Sequence, residues 1–420
     1  MLKRRSFLTG ALGAVAAGSS SAPAASDQLV AGFIGTGGRA NRHLIPSFRL
    51  YDNVRVAALC DVYKPNLDLA VTLAGGKVDT YGDYRRVLDR KDIDVVVIAT
   101  PDHWHCPIVI QACEAGKDIY VEKPLSNEID GCLKAVAAAR DHNRVVQVGL
   151  QQRSSAPFLE AYKILQSGVL GKVRHVVVIN PGGGARPGGA SAAGRGGRRM
   201  ATESSAPPPD LDWEMFQGPA PRRPYSLQRQ QNWRSYWEYG CGPLSDWGVH
   251  LLDVAHWYLG VAEPSRSAAA VYGWFNHPED DRVPDTTDVA WQYPNFVANY
   301  SSRSDVIGTY LWGDQGVLFV NRYGYSIRPV NSGRGSGGKP PFEEKTVALR
   351  DEFPPSKPSF ESDEGKHIRN FLECVKSRQR PVADISIGAV STIPTLMAGM
   401  SIRNGGKTIV WNGHGAAPMS

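Results

Sequence analysis

The stretch Val30-Ala31-Gly32-Phe33-Ile34-Gly35-Thr36-Gly37-Gly38-Arg39-Ala40 decides the fold. An apolar run of strand character enters a glycine turn that fits G-x-G-x-x-A and then starts a helix. Gly35 permits the tight turn, Gly37 lets backbone approach a pyrophosphate, and Ala40 lets the helix pack closely on the sheet. Gly38 and Arg39 complete the turn. A phosphate held there meets free N–H groups and the positive end of the helix dipole. Many glycine loops match the pattern by itself, so its context matters. Asp61 supplies that context. It ends the next strand, where a carboxylate can accept from both ribose hydroxyls. An acid there repels a 2′-phosphate, which favours NAD over NADP, although Arg39 could offset part of the repulsion. The plainer role for Asp61 is a strand-end cap.

Outward from this turn, strands and helices alternate. Strands are predicted over 54–59, 93–99, 118–121 and 145–148, with helices over 107–115 and 127–143. The β-branched run at 93–99 suits a strand buried on both faces. Alternation at this spacing predicts an α/β domain with a doubly wound parallel sheet over 27–150. The character changes afterwards, so 151–420 is predicted as a second α/β domain. It has helices over 156–167, 244–259, 365–376 and 385–404, a strand over 173–179, and an antiparallel sheet between 267 and 330. Two glycine-rich stretches, about 182–199 and 331–341, are expected to be flexible insertions.

A chain of 420 residues suits two domains. Apolar residues make up 42%, which is globular composition. The charge of +6 includes Lys3, Arg4 and Arg5. Without them it is too mild to argue for nucleic acid. Lys3-Arg4-Arg5-Ser6-Phe7-Leu8 reads as a twin-arginine export signal. The apolar segment over 7–18 falls short of the roughly 20 residues a stable membrane span needs. Ala22-Pro23-Ala24 offers a small-x-small cleavage site, so a signal peptide is expected over 1–25. The twin-arginine translocase would then deliver a folded protein to the periplasm or another extracytoplasmic space, with no membrane anchor after processing. Such a protein leaves the soluble NAD(H) pool behind and must carry and keep its cofactor. The six cysteines (Cys60, Cys106, Cys113, Cys132, Cys241 and Cys374) show neither CxxC nor metal spacing, so no disulfide framework is expected.

Two further stretches follow strands. Ala99-Thr100-Pro101-Asp102-His103-Trp104-His105 closes the long buried strand, and Glu122-Lys123-Pro124 follows the next. With the glycine turn, they resemble the Gfo/Idh/MocA family, named for glucose–fructose oxidoreductase and inositol dehydrogenase. The resemblance runs from about Leu29 to the chain end and is more specific in the first domain. It implies a Rossmann domain followed by an α/β domain with an open, largely antiparallel sheet. That sheet often mediates oligomerisation, so a homodimer or homotetramer is expected. It also implies sugar or polyol binding between the domains. Lys123 matches the family's active-site lysine, and the Lys–Pro bond is often cis. A strand-end ammonium lies in the crevice where ligands bind and can favour an ionised hydroxyl; the plainer alternative is a solvated Glu–Lys pair. The resemblance places Thr100, Pro101, His103 and His105 beside the nicotinamide. Glu122 and Gln151 are further candidates for touching the cofactor. The H-x-H of His103 and His105 lacks a third ligand, so no metal is expected.

The second constellation is Cys241-Gly242-Pro243-Leu244-Ser245-Asp246-Trp247-Gly248-Val249-His250-Leu251-Leu252-Asp253. Asp246 and His250 are four apart and share a face of a helix, with Asp253 close to that face. The stretch resembles the family's D-x-G-x-H, whose His is the usual base and whose Asp binds substrate or tunes the base. The alternative is an N-cap Asp and a core His. Trp233, Arg234 and Tyr236 suit stacking on sugar rings and grasping hydroxyls, or packing between domains.

The resemblance implies an oxidoreductase on a sugar, polyol or derivative. His250 takes the hydroxyl proton, Asp246 orients, Lys123 polarises, and a retained NAD is reoxidised in place by a second carbonyl compound. The alternative is a redox-neutral glycosidase or lyase that oxidises a sugar hydroxyl transiently. It needs one more acid or base, for which Asp253, His256, Tyr239 and Asp246 are candidates. A non-catalytic sugar-binding protein is the third possibility, and the joint presence of Lys123, Asp246 and His250 argues against it.

Overall fold

The structure, a computed structural model, describes residues 28–180, 206–275, 281–302, 306–330, 340–349 and 358–419. The expected signal peptide and the 182–199 insertion lie outside the described residues, as does most of 331–341.

The first sheet contains β1 (Leu29–Ile34), β2 (Val54–Cys60), β3 (Asp79–Tyr81), β4 (Val95–Ile98), β5 (Asp118–Val121) and β6 (Val146–Val148). The spatial order is β3-β2-β1-β4-β5-β6, parallel throughout. It is the order of a dinucleotide-binding doubly wound sheet. All four residues of β4 are buried, as a strand covered on both faces requires. The glycine turn leaves β1 between β2 and β4, the switch point where such sheets bind ligands.

One face of this sheet is covered by a helix from near the other end of the chain, Asp363–Ser377. Its Phe371 packs edge-on against Tyr120 at 5.9 Å, and Tyr120 against Phe48 in the same manner. Ser362 caps the helix by accepting from Gly365 N at 3.0 Å, which sets the position of Glu364 in the first turn.

Two helices differ from the sequence expectation. The helix expected from residue 107 begins five residues earlier, as Asp102–Glu114, with Pro107 inside it. Proline usually marks a first helical turn. Here tertiary bonds hold the preceding turn: His103 Nε2 meets Phe216 O at 3.0 Å and His105 Nδ1 meets Pro124 O at 2.7 Å. The helix expected over 244–259 is divided into Gly242–Asp246 and Gly248–Leu259. Trp247, at φ −105° and ψ −38°, forms the joint.

The second sheet contains β7 (Val173–Ile179), β8 (Ser267–Gly273), β9 (Thr286–Gln292), β10 (Val297–Ser301), β11 (Gly308–Gly313), β12 (Gly316–Val320), β13 (Gly324–Pro329), β14 (Lys345–Ala348), β15 (Ile409–Trp411) and β16 (Ala416–Pro418). Its order is β14-β13-β12-β11-β7-β10-β9-β8-β15-β16. β7 and β10 run parallel, whereas the neighbouring pairs on either side are antiparallel, so the sheet is mixed. The helix Ile385–Arg403 joins the two halves. Thr392 Oγ1 accepts from Leu125 N at 3.1 Å, and Pro394 O accepts from Trp291 Nε1 at 2.9 Å. It is long and apolar enough to cross a membrane, but 78% of its apolar window is buried inside the protein. One continuous core runs from Val148 through Ile393 and Met397 to Trp291. The six cysteines are free and buried.

Candidate active site

A cavity of about 890 Å³ lies between the two domains. The volume suits a drug-sized ligand or larger. Its walls combine the glycine turn, the carboxyl ends of β2, β4 and β5, and the joint at Trp247.

At the glycine-turn end, Gly35 has φ +84°. A Cβ there would sit 2.6 Å from Thr100 N, so both the conformation and the close approach require glycine. The nearest atom to a Cβ on Gly37 would be 3.9 Å away, leaving that backbone open to the cavity. Gly38 also lines the cavity, while Ala40 is fully buried beneath it. Asp61 serves as a cap and lines the cavity as well. Its Oδ2 accepts from Thr36 N at 2.7 Å and Thr36 Oγ1 at 3.2 Å, and its Oδ1 from Tyr63 N at 2.9 Å. Burial pushes this carboxyl up, and those bonds pull it back only in part. An open turn, a helix start and a strand-end acid fit a dinucleotide.

Arg39 turns towards two carboxylates. Its Nε lies 2.8 Å from Glu122 Oε1 and its Nη2 2.5 Å from Glu364 Oε2. Among the described residues, none of its ion pairs reaches Asp61. Gln151 lines the cavity beside this cluster; in the orientation that satisfies both ends, its amide donates to Gly149 O at 2.8 Å and accepts from Arg39. Thr100, Pro101 and His105 also line the cavity. Both His105 nitrogens are engaged, with Pro124 O at 2.7 Å and Thr100 O at 3.0 Å. His103 lies behind the wall, and burial lowers it to about 4. Among the described residues no group of three His, Cys, Asp or Glu could hold a metal ion.

At the other end, the Lys123–Pro124 bond is cis. Lys123 Nζ donates to Asp246 Oδ1 at 2.6 Å and Asp246 O at 2.7 Å. Arg234 Nε donates to the same Oδ1 at 3.2 Å. Burial pushes the Asp246 carboxyl up, but Lys123 and Arg234 prevail and hold it well below the usual carboxylate range. His250 lines the cavity and is 4% exposed. Burial, then Lys123 and Arg322, keep its pKa well below the ordinary value, so the ring is neutral. Its Nδ1 has no hydrogen-bond partner. Trp233 lines the cavity with the Arg234 guanidinium 4.1 Å from its ring centre. Tyr236 does not line it; it packs in a separate aromatic cluster with Arg229 over its ring at 4.4 Å.

The further acid or base candidates sit elsewhere, Asp246 excepted. Asp253 is bound to Arg153 at 2.8 Å and Ser391 at 2.7 Å. His256 meets Tyr293 Oη at 2.6 Å. Tyr239 is fully buried among aromatic rings. None of these three lines the cavity.

Asp102, Arg322 and Glu364 line the cavity and were absent from the sequence-based set. Asp102 lay inside the quoted T-P-D-H-W-H motif, and an acid directly after a proline was the available helix-start signal. Arg322 lies 4.6 Å from the Trp247 ring centre. Glu364 arrives from the far end of the chain and had no local signal.

Residues 29–150 match the model of an oxidoreductase family with an NAD-binding Rossmann fold. Residues 157–321 match the same family's C-terminal alpha/beta domain. Together the two matches cover more than half of the chain. The chain belongs to the Gfo/Idh/MocA oxidoreductase family. Its first domain is therefore an NAD-binding Rossmann domain.

A Glycosyl hydrolase family 109 protein of Shewanella sp. (strain W3-18-1) is 31% identical over 157 residues, or 36% of this chain and 34% of that protein. The chain thus matches about a third of the length of its curated relatives. Among solved structures, aldose-aldose oxidoreductase from Caulobacter crescentus, complexed with glycerol, aligns with a TM-score of 0.65 at 21% identity. That alignment covers 91% of this chain and 100% of that one. Levoglucosan dehydrogenase in complex with NADH and levoglucosan aligns at 0.62 and 20% identity, covering 91% and 99%. At these identities the structures show a shared fold.

Proposed function

We propose that this protein oxidises a hydroxyl of a sugar, polyol or derivative, using an NAD that it keeps bound. The carrying observation is that Lys123, Asp246 and His250 line the same cavity as Gly35, Gly37 and Asp61. The glycine turn would hold the pyrophosphate and Asp61 a ribose, and the bound nicotinamide supplies a hydride acceptor.

The chain's own groups have defined tasks. An ammonium has three donors. Lys123 spends two on Asp246, leaving one for a substrate hydroxyl oxygen. His250 is neutral and lines the cavity, so its ring can accept the hydroxyl proton. Asp246 stays ionised, fixes the lysine, and favours the imidazolium that forms. Trp233 offers a flat apolar face for a sugar ring. We further propose export by the twin-arginine route, with the cofactor carried inside the folded protein.

A second reading, redox-neutral cleavage of a glycoside, is favoured by the likeness to glycosyl hydrolase family 109 proteins and by Asp102. Burial pushes that carboxyl up to about 8, so the cavity holds one more proton donor. The two readings separate on purified protein given sugars and glycosides without added NAD. Stoichiometric reduction, with turnover only when a carbonyl acceptor is present, supports oxidoreduction. Many turnovers of a glycoside without net reduction support cleavage. No bound nicotinamide and no turnover would contradict both.

A further inference from the structure

Asp102 is the first residue of the helix Asp102–Glu114, is 3% exposed, and lines the cavity that holds Lys123, Asp246 and His250. Its surroundings hold it firmly. His103 N donates to Tyr239 O at 3.3 Å, and Trp104 Nε1 to Phe216 O at 3.1 Å, tying the helix start to the 213–241 segment. Gly240 packs beside the carboxyl and the backbone of Arg234. A Cβ on it would lie 3.2 Å from Asp102 Oδ2 and 3.3 Å from Arg234 Cα.

The nearby cations serve the other carboxylate. Lys123 and Arg234 Nε both donate to Asp246. Among the described residues, no hydrogen bond reaches the Asp102 carboxyl. A buried carboxylate without a donor is costly, and a second carboxylate in the same site raises that cost. The site therefore treats Asp246 and Asp102 differently. Asp246 takes the cations and is ionised; Asp102 keeps its proton. Burial dominates at Asp102, and the charges of Asp246 and Glu122 add to it, against the pull of Arg234 and Lys123. Two acids pushed apart in this way commonly mark distinct acid and base roles. A protonated carboxyl that faces a cavity and has no protein partner has an O–H to offer.

We propose that Asp102 is a substrate-binding residue that stands in the cavity as a neutral carboxylic acid and donates its O–H to a hydroxyl or glycosidic oxygen of the bound sugar. The sugar contact rests on the function proposed above; the protonation does not. An asparagine can replace such a donor through its NH₂ group, and a leucine of similar size cannot.

The test compares wild type, Asp102→Asn and Asp102→Leu, each loaded with NAD and checked for equal NAD content. Wild-type kcat/KM on a turned-over sugar or glycoside should fall above about pH 8. Asp102→Asn should stay within about tenfold of wild type and lose that alkaline limb, whereas Asp102→Leu should lose about a hundredfold, chiefly through KM. An Asn variant as impaired as the Leu variant, or an unimpaired Leu variant, would overturn the proposal. A second readout needs no turnover. In protein with ¹³C-labelled aspartate carboxyls, the resonance missing from Asp102→Asn should titrate near 8 in wild type. Titration in the ordinary carboxylate range would overturn the proposal by itself. Wild type that turns over no sugar or glycoside would overturn the functional reading and the sugar contact, with the protonation still judged by the resonance.

Discussion

Lys123 Nζ lies 2.6 Å from Asp246 Oδ1, joining the end of β5 in the first domain to the Trp247 joint in the second. The two side chains are 14% and 23% exposed, so the pair is shielded but still faces the cavity. In the proposed mechanism the position of Lys123 is thus set by the second domain. Asp246→Asn should therefore keep NAD bound and lower kcat/KM by about a hundredfold. Steady-state kinetics on NAD-loaded protein checks this, and an undiminished rate would show that the pair is structural.

Arg39 and Glu364 form a comparable link across 325 positions. Arg39 belongs to the glycine turn, and Glu364 to the first turn of the helix Asp363–Ser377. Charge-assisted hydrogen bonds of this kind contribute about 1.5–3 kcal/mol. If the link steadies the turn, Glu364→Gln should weaken NAD retention by about tenfold or more. The dissociation rate of bound NAD, followed by fluorescence, measures it. An unchanged rate would remove this helix from cofactor holding.

Asp61 ties the turn to the end of β2 through Thr36 and Tyr63. Asp61→Ala should weaken NAD binding and narrow the preference for NAD over NADP, because the charge that opposes a 2′-phosphate is gone. Parallel titrations with both dinucleotides decide the matter. An unchanged ratio would confine Asp61 to capping.

Stability should fall in acid through buried histidines. His103, His256 and His367 have pKa values lowered by burial to about 4, 3 and 4. The folded protein keeps them neutral, whereas the unfolded chain protonates them below their ordinary value. Their contribution is thus complete above that value and is lost as pH falls towards about 4. Each contributes a slope of at most about 1.4 kcal/mol per pH unit in that window. Asp102 acts in the opposite sense: its raised pKa costs stability as pH rises towards about 8. Urea unfolding at a series of pH values should show the acid loss, and His256→Gln should flatten it. A profile that stays level between neutrality and pH 4 would contradict the assignment.

Much of this fold is legible in local sequence. The glycine turn, the β-branched run at β4 and the strand-end acid each obey short-range rules, and they predict the parallel sheet. The start of the helix at Asp102 has a local signal in Pro101-Asp102, but Pro107 mimics a later helix start, and the bonds that hold the turn between them come from Phe216 and Pro124. The joint at Trp247 is marked in the sequence only by Gly248, which weakens a helix without dictating where it breaks. Asp246 and His250 reach one cavity although the single helix expected to align them breaks at Trp247, and Asp253 turns instead to Arg153 and Ser391. Glu364 could not be found from its neighbours, because its partner Arg39 lies at the opposite end of the chain.

The most direct test of the central claim is the absorbance of reduced nicotinamide in purified protein given sugars and polyols, with no NAD added. Wild type should reduce its own bound cofactor stoichiometrically, and Lys123→Met should bind the same cofactor and leave it oxidised. Equal reduction by both proteins, or a wild type that never holds NAD, would contradict the account.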